Sequence, residues 1–511
     1  MKKIFRILGL TALLTGLLSV GVRAADPATS GNNAPMDFST ASHVCPICGG
    51  SAVTWKPLPQ ISANTTLEAG HYYVPDGGLS NTATYTFNSN ETRCIHLNGN
   101  DIRSTKQVFY NTNNSRLNLF GSGNVSGVQE QGAVFGVYTG RVYIYGGNYS
   151  GTGIPVYLNK ADYARVYLFS GAAINGNETG SVYVKTGRFE MYGGTVSGGS
   201  AENGGNIKID AGRLYLDGGT VTGGSAKNGG NVYVSGVTTF RVKGATVTRG
   251  TATGNGGNIY IAGATGGSYT MSGGTISSGS AKNGGGIYVS AAELALSGGT
   301  VTGNKATDGG SCYLASKGIL TMTGGTVTKG SSTDTGGNIY AASTSSVLNL
   351  SGGTVSAGTA KTNGGNIYFN NGNLNITGGT VSGGKAVEGG NVYTRTGKTS
   401  ASNTATIGGA GDPVITGGTA STNGGNVFVE GRATLGNCTM ENGTVTDKTY
   451  GTDLYLDVSS VFTISSAYTG SCNTYIHSMH IYQARLDGNP PQGICPPVFL
   501  SGGCFRYCRP F

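Results

Sequence analysis

The stretch GGTVTGGSAKNGGNVYVSG, residues 218–236, combines a high glycine content with short apolar segments. Valine alternates with threonine and tyrosine in TVT and VYV, which is the period of a β-strand with one buried face. Glycine, asparagine and serine separate these segments, at points where the chain must turn sharply. Because a similar stretch recurs about 25 residues later, it belongs to a structural repeat and not to a linker.

Three motifs repeat in order from Leu117 to Leu435. The first is L-x-L, as at Leu214 and Leu216; the second is GGTV followed by serine or threonine; the third is NGGN followed by an apolar-tyrosine-apolar triplet. Each motif is too short for a helix and fits a strand, so one repeat of about 22 to 29 residues holds three short strands. Such a unit cannot bury its apolar face alone and must stack on its neighbours.

The sequence therefore predicts an all-β fold, a parallel β-helix solenoid with three short strands in each rung, where a rung is one circuit of the chain. We count about thirteen regular rungs between Gly121 and Gly436. With strands about 4.8 Å apart, they form a rod on the order of 60 Å long.

The asparagine that ends each NGGN motif recurs at one position of the repeat. Stacked amides can hydrogen-bond from rung to rung and to turn backbone that the strands leave unpaired. Gly286 and Ser311 replace this asparagine and are expected to interrupt the column. The predicted structural column consists of Asn206, Asn231, Asn258, Asn338, Asn366, Asn391 and Asn426.

The GGTVS, NGGNIY and L-x-L motifs resemble the repeats of right-handed parallel β-helix proteins with the pectin-lyase-like fold, a fold of bacterial surface and secreted proteins. They are similar, more loosely, to the repeats of polymorphic outer-membrane proteins and adhesins, although the FxxN motif of the former is missing. The resemblance implies a right-handed solenoid. It implies no single activity, because the same scaffold carries lyases, hydrolases, adhesins and inert stalks.

The first residues have the pattern of a secretory signal peptide, so we expect the protein to be secreted or at the cell surface. Lys2, Lys3 and Arg6 precede an apolar run over 7–20 and a small-residue cleavage site at 22–24. Without residues 1–24, which hold four basic and no acidic residues, the net charge falls from +9 to +5. No basic cluster interleaved with base-stacking aromatics is evident, so no nucleic-acid partner is predicted.

An uncleaved membrane anchor is the alternative interpretation of this N-terminus, but the apolar run is short for a membrane span. After removal of the signal, the chain is not expected to be an integral membrane protein. We divide it into a signal peptide (1–24), an N-terminal segment with a CxxC motif (25–60), an N-terminal cap with irregular first rungs (61–116), the parallel β-helix repeats (117–470) and a Cys/Pro-rich C-terminal tail (471–511).

Cys45 and Cys48 have the spacing of half a zinc ribbon, and His43 is a further ligand candidate. No second cysteine pair lies nearby in the sequence, and in an exported protein a disulfide or free thiols fit equally well. Zinc at this motif is the only cofactor that the sequence suggests. Cys312 occupies a position that is isoleucine in neighbouring repeats, so it is predicted to be a buried thiol.

No catalytic residue is predicted. Asp308 and Glu388 share a column but lie three rungs apart, about 14 Å, which exceeds the separation of cooperating carboxylates. Asp210 and Asp217 lie on either side of a corner within one repeat. A catalytic site, if present, is expected in the irregular N-terminal part, which contains His71, Asp76, Glu91, Arg93, His96 and Asp101.

The tyrosines of the third motif are predicted to form a column outside the solenoid, since the residues on either side of each tyrosine point inward. Such a column is either a surface for sugars or proteins, or a stack that stiffens the sheet. As a ligand-binding face it consists of Tyr233, Tyr260, Tyr288, Tyr313, Tyr340, Tyr368 and Tyr393.

The GGTV motif creates a second outward column of hydroxyl groups, as at Thr220 and Thr222. This grid resembles the face of ice-binding solenoids, although threonine beside valine is also what strand propensity selects.

The sequence favours an exported, non-catalytic surface rod, adhesin-like or structural, whose outer faces bind glycans or other proteins. The alternative is a polysaccharide lyase or glycoside hydrolase of the pectin-lyase-like fold, and ice binding is a minor alternative. An enzyme would need charged residues clustered on two or three neighbouring rungs, whereas a binding rod needs only an even surface.

Overall fold

The structure is a computed structural model of the 511-residue chain. It describes residues 38, 42–49, 51–160, 162–236, 238–264, 266–397, 402–447, 451–457, 460–464, 474–476, 499–500 and 503–504. The predicted signal peptide and most of the C-terminal tail lie outside the described residues.

The described chain forms a parallel β-solenoid of about 15 rungs with three sheets and no helix. This confirms the predicted all-β solenoid with three strands per rung. The count exceeds thirteen because the irregular segment before Gly121 already forms rungs: the strands Gly70–Tyr73, Thr92–His96 and Arg116–Phe120 pair in parallel and in sequence. No helix of the described chain is long and apolar enough to cross a membrane.

The first sheet contains the L-x-L and GGTV motifs, which merge into one long strand in the later rungs. Alternate residues of each motif point into the solenoid. Its strands are Ser42–His43, Val53–Pro57, Gly70–Tyr73, Leu79–Asn81, Thr92–His96, Ile102–Ser104, Arg116–Phe120, Asn124–Gly127, Gly140–Ile144, Gly147–Gly151, Ala164–Leu168, Ala172–Asn175, Arg188–Met191, Thr195–Ser197, Gly212–Leu216, Thr220–Thr222, Thr238–Val242, Thr246–Thr248, Ser268–Ser277, Glu293–Thr302, Ile319–Thr328, Val347–Ser356, Asn373–Ser382, Ala405–Thr416, Arg432–Leu435, Thr439–Glu441 and Val461–Ile464.

The second sheet contains the apolar-tyrosine-apolar motif, and the third contains the segment that precedes NGG. The strands of the second sheet are Thr65–Thr66, Tyr85–Phe87, Phe109–Asn111, Gln131–Val137, Ile154–Asn159, Val182–Thr186, Ile207–Ile209, Val232–Gly236, Ile259–Gly263, Ile287–Ser290, Cys312–Leu314, Ile339–Ala341, Ile367–Phe369, Val392–Thr394, Val427–Val429, Leu454–Leu456 and Thr474–Ile476. Those of the third are Ser200–Asn203, Ser225–Asn228, Thr251–Asn255, Ser280–Asn283, Lys305–Asp308, Ser331–Ser332, Thr359–Ala360, Lys385–Glu388, Thr419–Asn423 and Thr444–Val445. A separate antiparallel pair joins Phe499–Leu500 to Gly503–Cys504.

One continuous apolar core fills the solenoid. Val232 and Val234 are fully buried while Tyr233 between them is half-buried, so the tyrosine lies on the outer face as predicted. Cys312 pairs between Ile287 and Ile339 and is buried in this core, which confirms the prediction for this thiol. The apolar slots of successive rungs are therefore filled by side chains of similar shape.

The asparagine column lies at the bend between the third and second sheets and is completely buried. The Asn231 side chain accepts a bond from the Gly224 amide (2.9 Å) and donates to the Asn258 side chain (2.8 Å) and to the Thr248 carbonyl (2.8 Å). These amides thus satisfy turn backbone and connect one rung to the next. Gly224 must lack a side chain, because a Cβ there would lie 2.2 Å from the Gly230 carbonyl oxygen.

The sequence suggested that Gly286 interrupts the column, but the structure shows no interruption there. Asn304, from the corner one rung later, occupies the vacant position: its side chain accepts bonds from the Asn258 amide group (3.2 Å) and from the Gly279 backbone (2.8 Å). At the second departure, the Ser311 hydroxyl donates to the Asn338 side chain at 3.4 Å. The missing asparagine is therefore replaced by a neighbour, which the repeat pattern alone does not reveal.

Candidate functional site: a cysteine and histidine cluster and a basic strip

The register of the first sheet places His71 and Cys94 side by side on its outer face. His71 is paired with Cys94 on consecutive rungs, and Trp55 and Asn118 continue the same column on either side. Inward residues flank each of them, so these side chains point away from the core. Residues 23 positions apart in the sequence are thus neighbours in space.

Cys45 and Cys48 lie in the loop that connects two antiparallel strands, Ser42–His43 and Val53–Pro57. The Cys48 amide faces the Cys45 sulfur at 3.4 Å, and the Gly49 amide donates to the Cys45 carbonyl at 3.0 Å. Gly49 has φ +66°, which only glycine adopts readily. This tight turn directs both sulfurs toward the outer face of the first sheet.

The four side chains form one cluster. The Sγ atoms of Cys45, Cys48 and Cys94 and a ring nitrogen of His71 all lie within 4.8 Å of one another. The Cys48 sulfur is 3.4 Å from the Cys94 sulfur and 3.4 Å from His71 Nε2. Cys45 and Cys94 are completely buried, whereas Cys48 is exposed.

Interactions within the cluster shift the pKa values of Cys45 and Cys94 in opposite directions. The bond from the Cys94 thiol, opposed by burial, lowers the pKa of Cys45 to about 5. The same bond and burial raise the pKa of Cys94. The Asn118 side-chain amide also donates to the Cys94 sulfur at 3.3 Å.

His43 does not belong to this cluster, although the sequence suggested it as a ligand beside Cys45 and Cys48. Its carbonyl accepts a bond from the Trp55 indole, and its ring packs edge-on against Phe38. The sequence distances concealed the actual partners. In the sequence, His71 is only one of several candidates for a catalytic site in the irregular N-terminal part, and no motif points to Cys94.

The tyrosine column of the second sheet forms a continuous stack. Neighbouring ring centroids from Tyr233 to Tyr393 lie 4.9–5.3 Å apart, with interplanar angles of 6–21°. Each inner ring therefore presents only its edge and hydroxyl outward, because its two faces contact its neighbours. Tyr368 and Tyr393 are buried as well. Of the two readings, this geometry favours stiffening of the sheet over a flat surface for sugar rings.

An arginine column that sequence reasoning missed lies on the outer face of the first sheet. Its five members pair with one another on five consecutive rungs: Arg116, Arg141, Arg165, Arg188 and Arg213. The signal was available, because these arginines recur every 23 to 25 residues, immediately before the L-x-L position.

Tyrosines form the adjoining column. Tyr143 pairs with Tyr167, with stacked rings 4.6 Å apart, and the Arg116 guanidinium lies 4.5 Å above the Tyr143 ring. Farther along, the Tyr215 ring lies between Arg188 (4.9 Å) and Arg241 (4.2 Å). We call these two columns the basic strip.

Two carboxylates within the strip are engaged by its own cations. The Glu190 side chain is 1% exposed, forms an ion pair with Arg188 and accepts a bond from the Tyr192 hydroxyl. The Asp217 side chain is 5% exposed and is bound by two nitrogens of Arg241. Neither presents a free oxygen for acid or base chemistry.

The remaining acidic residues singled out from the sequence also have partners. Asp308 accepts a bond from the Thr335 hydroxyl (2.7 Å), and Glu388 is separated from it by the rungs of Thr335 and Asn363. Asp210 accepts a bond from Tyr183 (2.6 Å).

Apart from His71, the N-terminal candidates are dispersed. Arg93 is buried and bonded to the Leu67 carbonyl and to Glu91, while Asp101 pairs with Arg103. His96 is buried among aromatic rings, and burial lowers its pKa to about 4. The geometry thus assembles no catalytic group from these residues.

The outward threonine and serine side chains of the GGTV motif lie in register on consecutive rungs. Thr220 pairs with Thr246, and the column extends through the later rungs to Thr380. Some of the hydroxyls bond to each other between rungs, as between Thr328 and Ser356 at 2.9 Å.

No protein-family model, curated protein sequence or solved structure significantly matches this chain. The fold is therefore known from the structure alone, and the side chains on its outer faces are the basis for the proposed function.

Proposed function

We propose that the protein is an exported, non-catalytic rod, secreted or held at the cell surface, that binds a linear acidic polysaccharide along its basic strip. The observation that carries this proposal is the alignment of five arginines on consecutive rungs. Export is supported by the N-terminal pattern of basic and apolar residues.

The arginines at the N-terminal end of the strip are available to a ligand. Arg116 and Arg141 are exposed, and Arg165 is half-buried with its guanidinium bonded to the Asp162 carbonyl. None of the three forms an ion pair within the described residues. Guanidinium groups bind carboxylate and sulfate groups through paired hydrogen bonds. The five column arginines and Arg241, which follows Tyr215 in the adjoining column, carry six positive charges. Three of these cations pair with Glu190, Asp217 and Asp162, so the strip keeps a net charge of +3.

The straightness of the column favours a polysaccharide. Paired strands place the arginines about 4.8 Å apart along a line, a spacing close to the length of one sugar residue in a chain. The phosphates of each strand of a nucleic-acid duplex follow one another at about 3.4 Å along the helix axis, a spacing that differs from that of the arginines. The aromatic rings also stack on each other or on arginines, which leaves few free faces for bases.

An enzyme of the lyase or hydrolase type is the second candidate, because charged residues do cluster on the neighbouring rungs of Glu190 and Asp217. Their burial and ion pairs oppose a catalytic role. Ice binding is supported by the register of the threonine column, but serines such as Ser277 and Ser356 break its methyl pattern.

The test is binding of the full chain to polygalacturonate, chondroitin sulfate and a neutral glucan, measured by calorimetry at two salt concentrations. We expect binding to the acidic polymers only, weaker at higher salt. The triple variant R116Q/R141Q/R165Q should bind about 10- to 100-fold more weakly, at up to about 1 kcal/mol for each exposed contact.

The matched control is K227Q/K282Q/K305Q, which removes the same charge from exposed positions of the third sheet. It should bind like the unmodified chain. Equal weakening in both triple variants, or no binding to either acidic polymer, would refute the basic strip as the binding site. Shortening of a polymer during incubation would instead identify an enzyme.

A further inference from the structure

We propose that Cys45, Cys48, His71 and Cys94 form a structural zinc site that fastens the N-terminal segment to the first rungs of the solenoid. The site does not depend on the proposed function. It rests on four ligand atoms that converge from three parts of the chain.

The distances fit one tetrahedral ion. Zinc binds thiolate sulfur at about 2.3 Å and imidazole nitrogen at about 2.0 to 2.1 Å, so the ligand atoms of a tetrahedral site lie about 3.5 to 3.8 Å apart. The Cys48 sulfur lies 3.4 Å from both the Cys94 sulfur and the His71 ring nitrogen, and all four ligand atoms lie within 4.8 Å of one another. A small adjustment of the side chains would therefore bring all four within bonding distance.

The ligand set indicates zinc. Three sulfurs and one imidazole suit a closed, tetrahedral zinc site better than the oxygen-rich sites of calcium or magnesium. The Asn118 side-chain amide donates to the Cys94 sulfur at 3.3 Å, a contact of the kind that orients metal ligands from outside a site. The Trp55 ring packs 5.2 Å from the His71 ring and limits its orientation.

A disulfide explains the arrangement less well. A bonded sulfur pair lies about 2.05 Å apart. The sulfurs of Cys48 and Cys94 are 3.4 Å apart, and a bond between any two of the three cysteines would leave the third unpaired beside His71. With zinc, all four groups are used.

The position of the site suggests its role. Ser42–His43 pairs antiparallel with Val53–Thr54 at the start of the first sheet and covers an edge that would otherwise invite another strand. Cys45 and Cys48 lie between these two strands, while His71 and Cys94 belong to the following rungs. The metal would thus hold this cap in place.

The test is the metal content of the full chain purified without chelators, measured by inductively coupled plasma mass spectrometry. We expect one zinc per chain. Cobalt substituted for zinc should give the absorption of a tetrahedral thiolate site. C48S removes an exposed thiol, so it should lose the zinc without disturbing the core; C94S should lose it as well.

The controls are H43Q, a histidine next to the loop but outside the cluster, and C312S, a buried thiol in the second sheet. Both should keep one zinc. A chain that folds with no metal after addition of zinc, or a disulfide between two of the three cysteines in mass spectrometry of the zinc-treated chain, would overturn the proposal. Retention of zinc by C48S and C94S would do so too.

Discussion

The N-terminal rungs and the regular repeats enclose the same continuous apolar core but carry different side chains on their outer faces. From Asn206 onward the bends repeat one buried asparagine except at Gly286 and Ser311, and from Tyr233 onward the second sheet repeats one stacked tyrosine. Before these positions, the rungs instead place a cysteine and histidine cluster, mixed aromatic rings and the arginine column on the outer face of the first sheet. Identical columns stabilise the rod, whereas the irregular rungs present groups capable of binding.

The largest effect should follow from breaking the asparagine column. Asn366→Ala removes a buried amide that bonds Asn338, Asn391, the Gly358 amide and the Ser382 carbonyl. Leaving these groups unpaired should lower the free energy of unfolding by about 3 to 5 kcal/mol. Chemical denaturation monitored by circular dichroism measures this loss.

Ser181→Ala is the matched change in the N-terminal part, because Ser181 is equally buried at the end of the same column but makes fewer side-chain bonds. This substitution should lower the free energy of unfolding by about 1 kcal/mol. Equal losses at the two positions would contradict the idea that the repeats depend more strongly on this column.

The rung in which Asn304 replaces the missing asparagine provides a second test. Gly286→Asn should destabilise the protein by about 2 to 3 kcal/mol, because a Cβ at this position would lie 2.6 Å from the Ser311 carbonyl oxygen and 2.9 Å from the Asn304 amide nitrogen. The double variant G286N/N304G removes the Asn304 contact but not the Ser311 contact, so it should recover part of that stability. A double variant no more stable than Gly286→Asn alone would show that Asn304 does not substitute for the absent side chain.

Position within the tyrosine stack should determine the cost of a substitution. Tyr288 stacks on Tyr260 and Tyr313, whereas Tyr233 stacks on Tyr260 alone. Tyr288→Leu should therefore cost about 1 to 2 kcal/mol and Tyr233→Leu about half of that. Thermal unfolding of the two variants compares them, and a larger loss at Tyr233 would argue against stacking as the source of the stability.

The smallest effect concerns Glu388, which replaces asparagine in the outer column of the third sheet. Burial raises the pKa of Glu388 above its ordinary value of 4.5. The folded state therefore favours the protonated acid, so this group stabilises the fold below its unfolded pKa and loses that contribution as pH rises through the folded pKa.

Glu388→Gln should thus be more stable than the unmodified chain at pH 7, by less than about 1 kcal/mol. The difference should shrink as the pH falls below the ordinary value of the glutamate. Unfolding midpoints measured at several pH values would test this, and an advantage that grew toward acid would contradict the assigned cause.

The rung, its three strands and the columns of asparagine, tyrosine and threonine follow from the amino-acid sequence alone. They do so because each rung pairs with the next in register, so equal spacing in the sequence becomes a line in space. The arginine column follows the same rule and was readable from the same spacing.

The places where the periodicity fails are set by packing in three dimensions and are not readable from the repeat. His71 and Cys94 meet Cys45 and Cys48 through an antiparallel loop and two irregular rungs, whose register no repeat fixes. Asn304 enters its column from a different corner, and the rings of the tyrosine column cover each other's faces. These features depend on side-chain orientation and loop geometry, which arise from packing and not from the repeat itself.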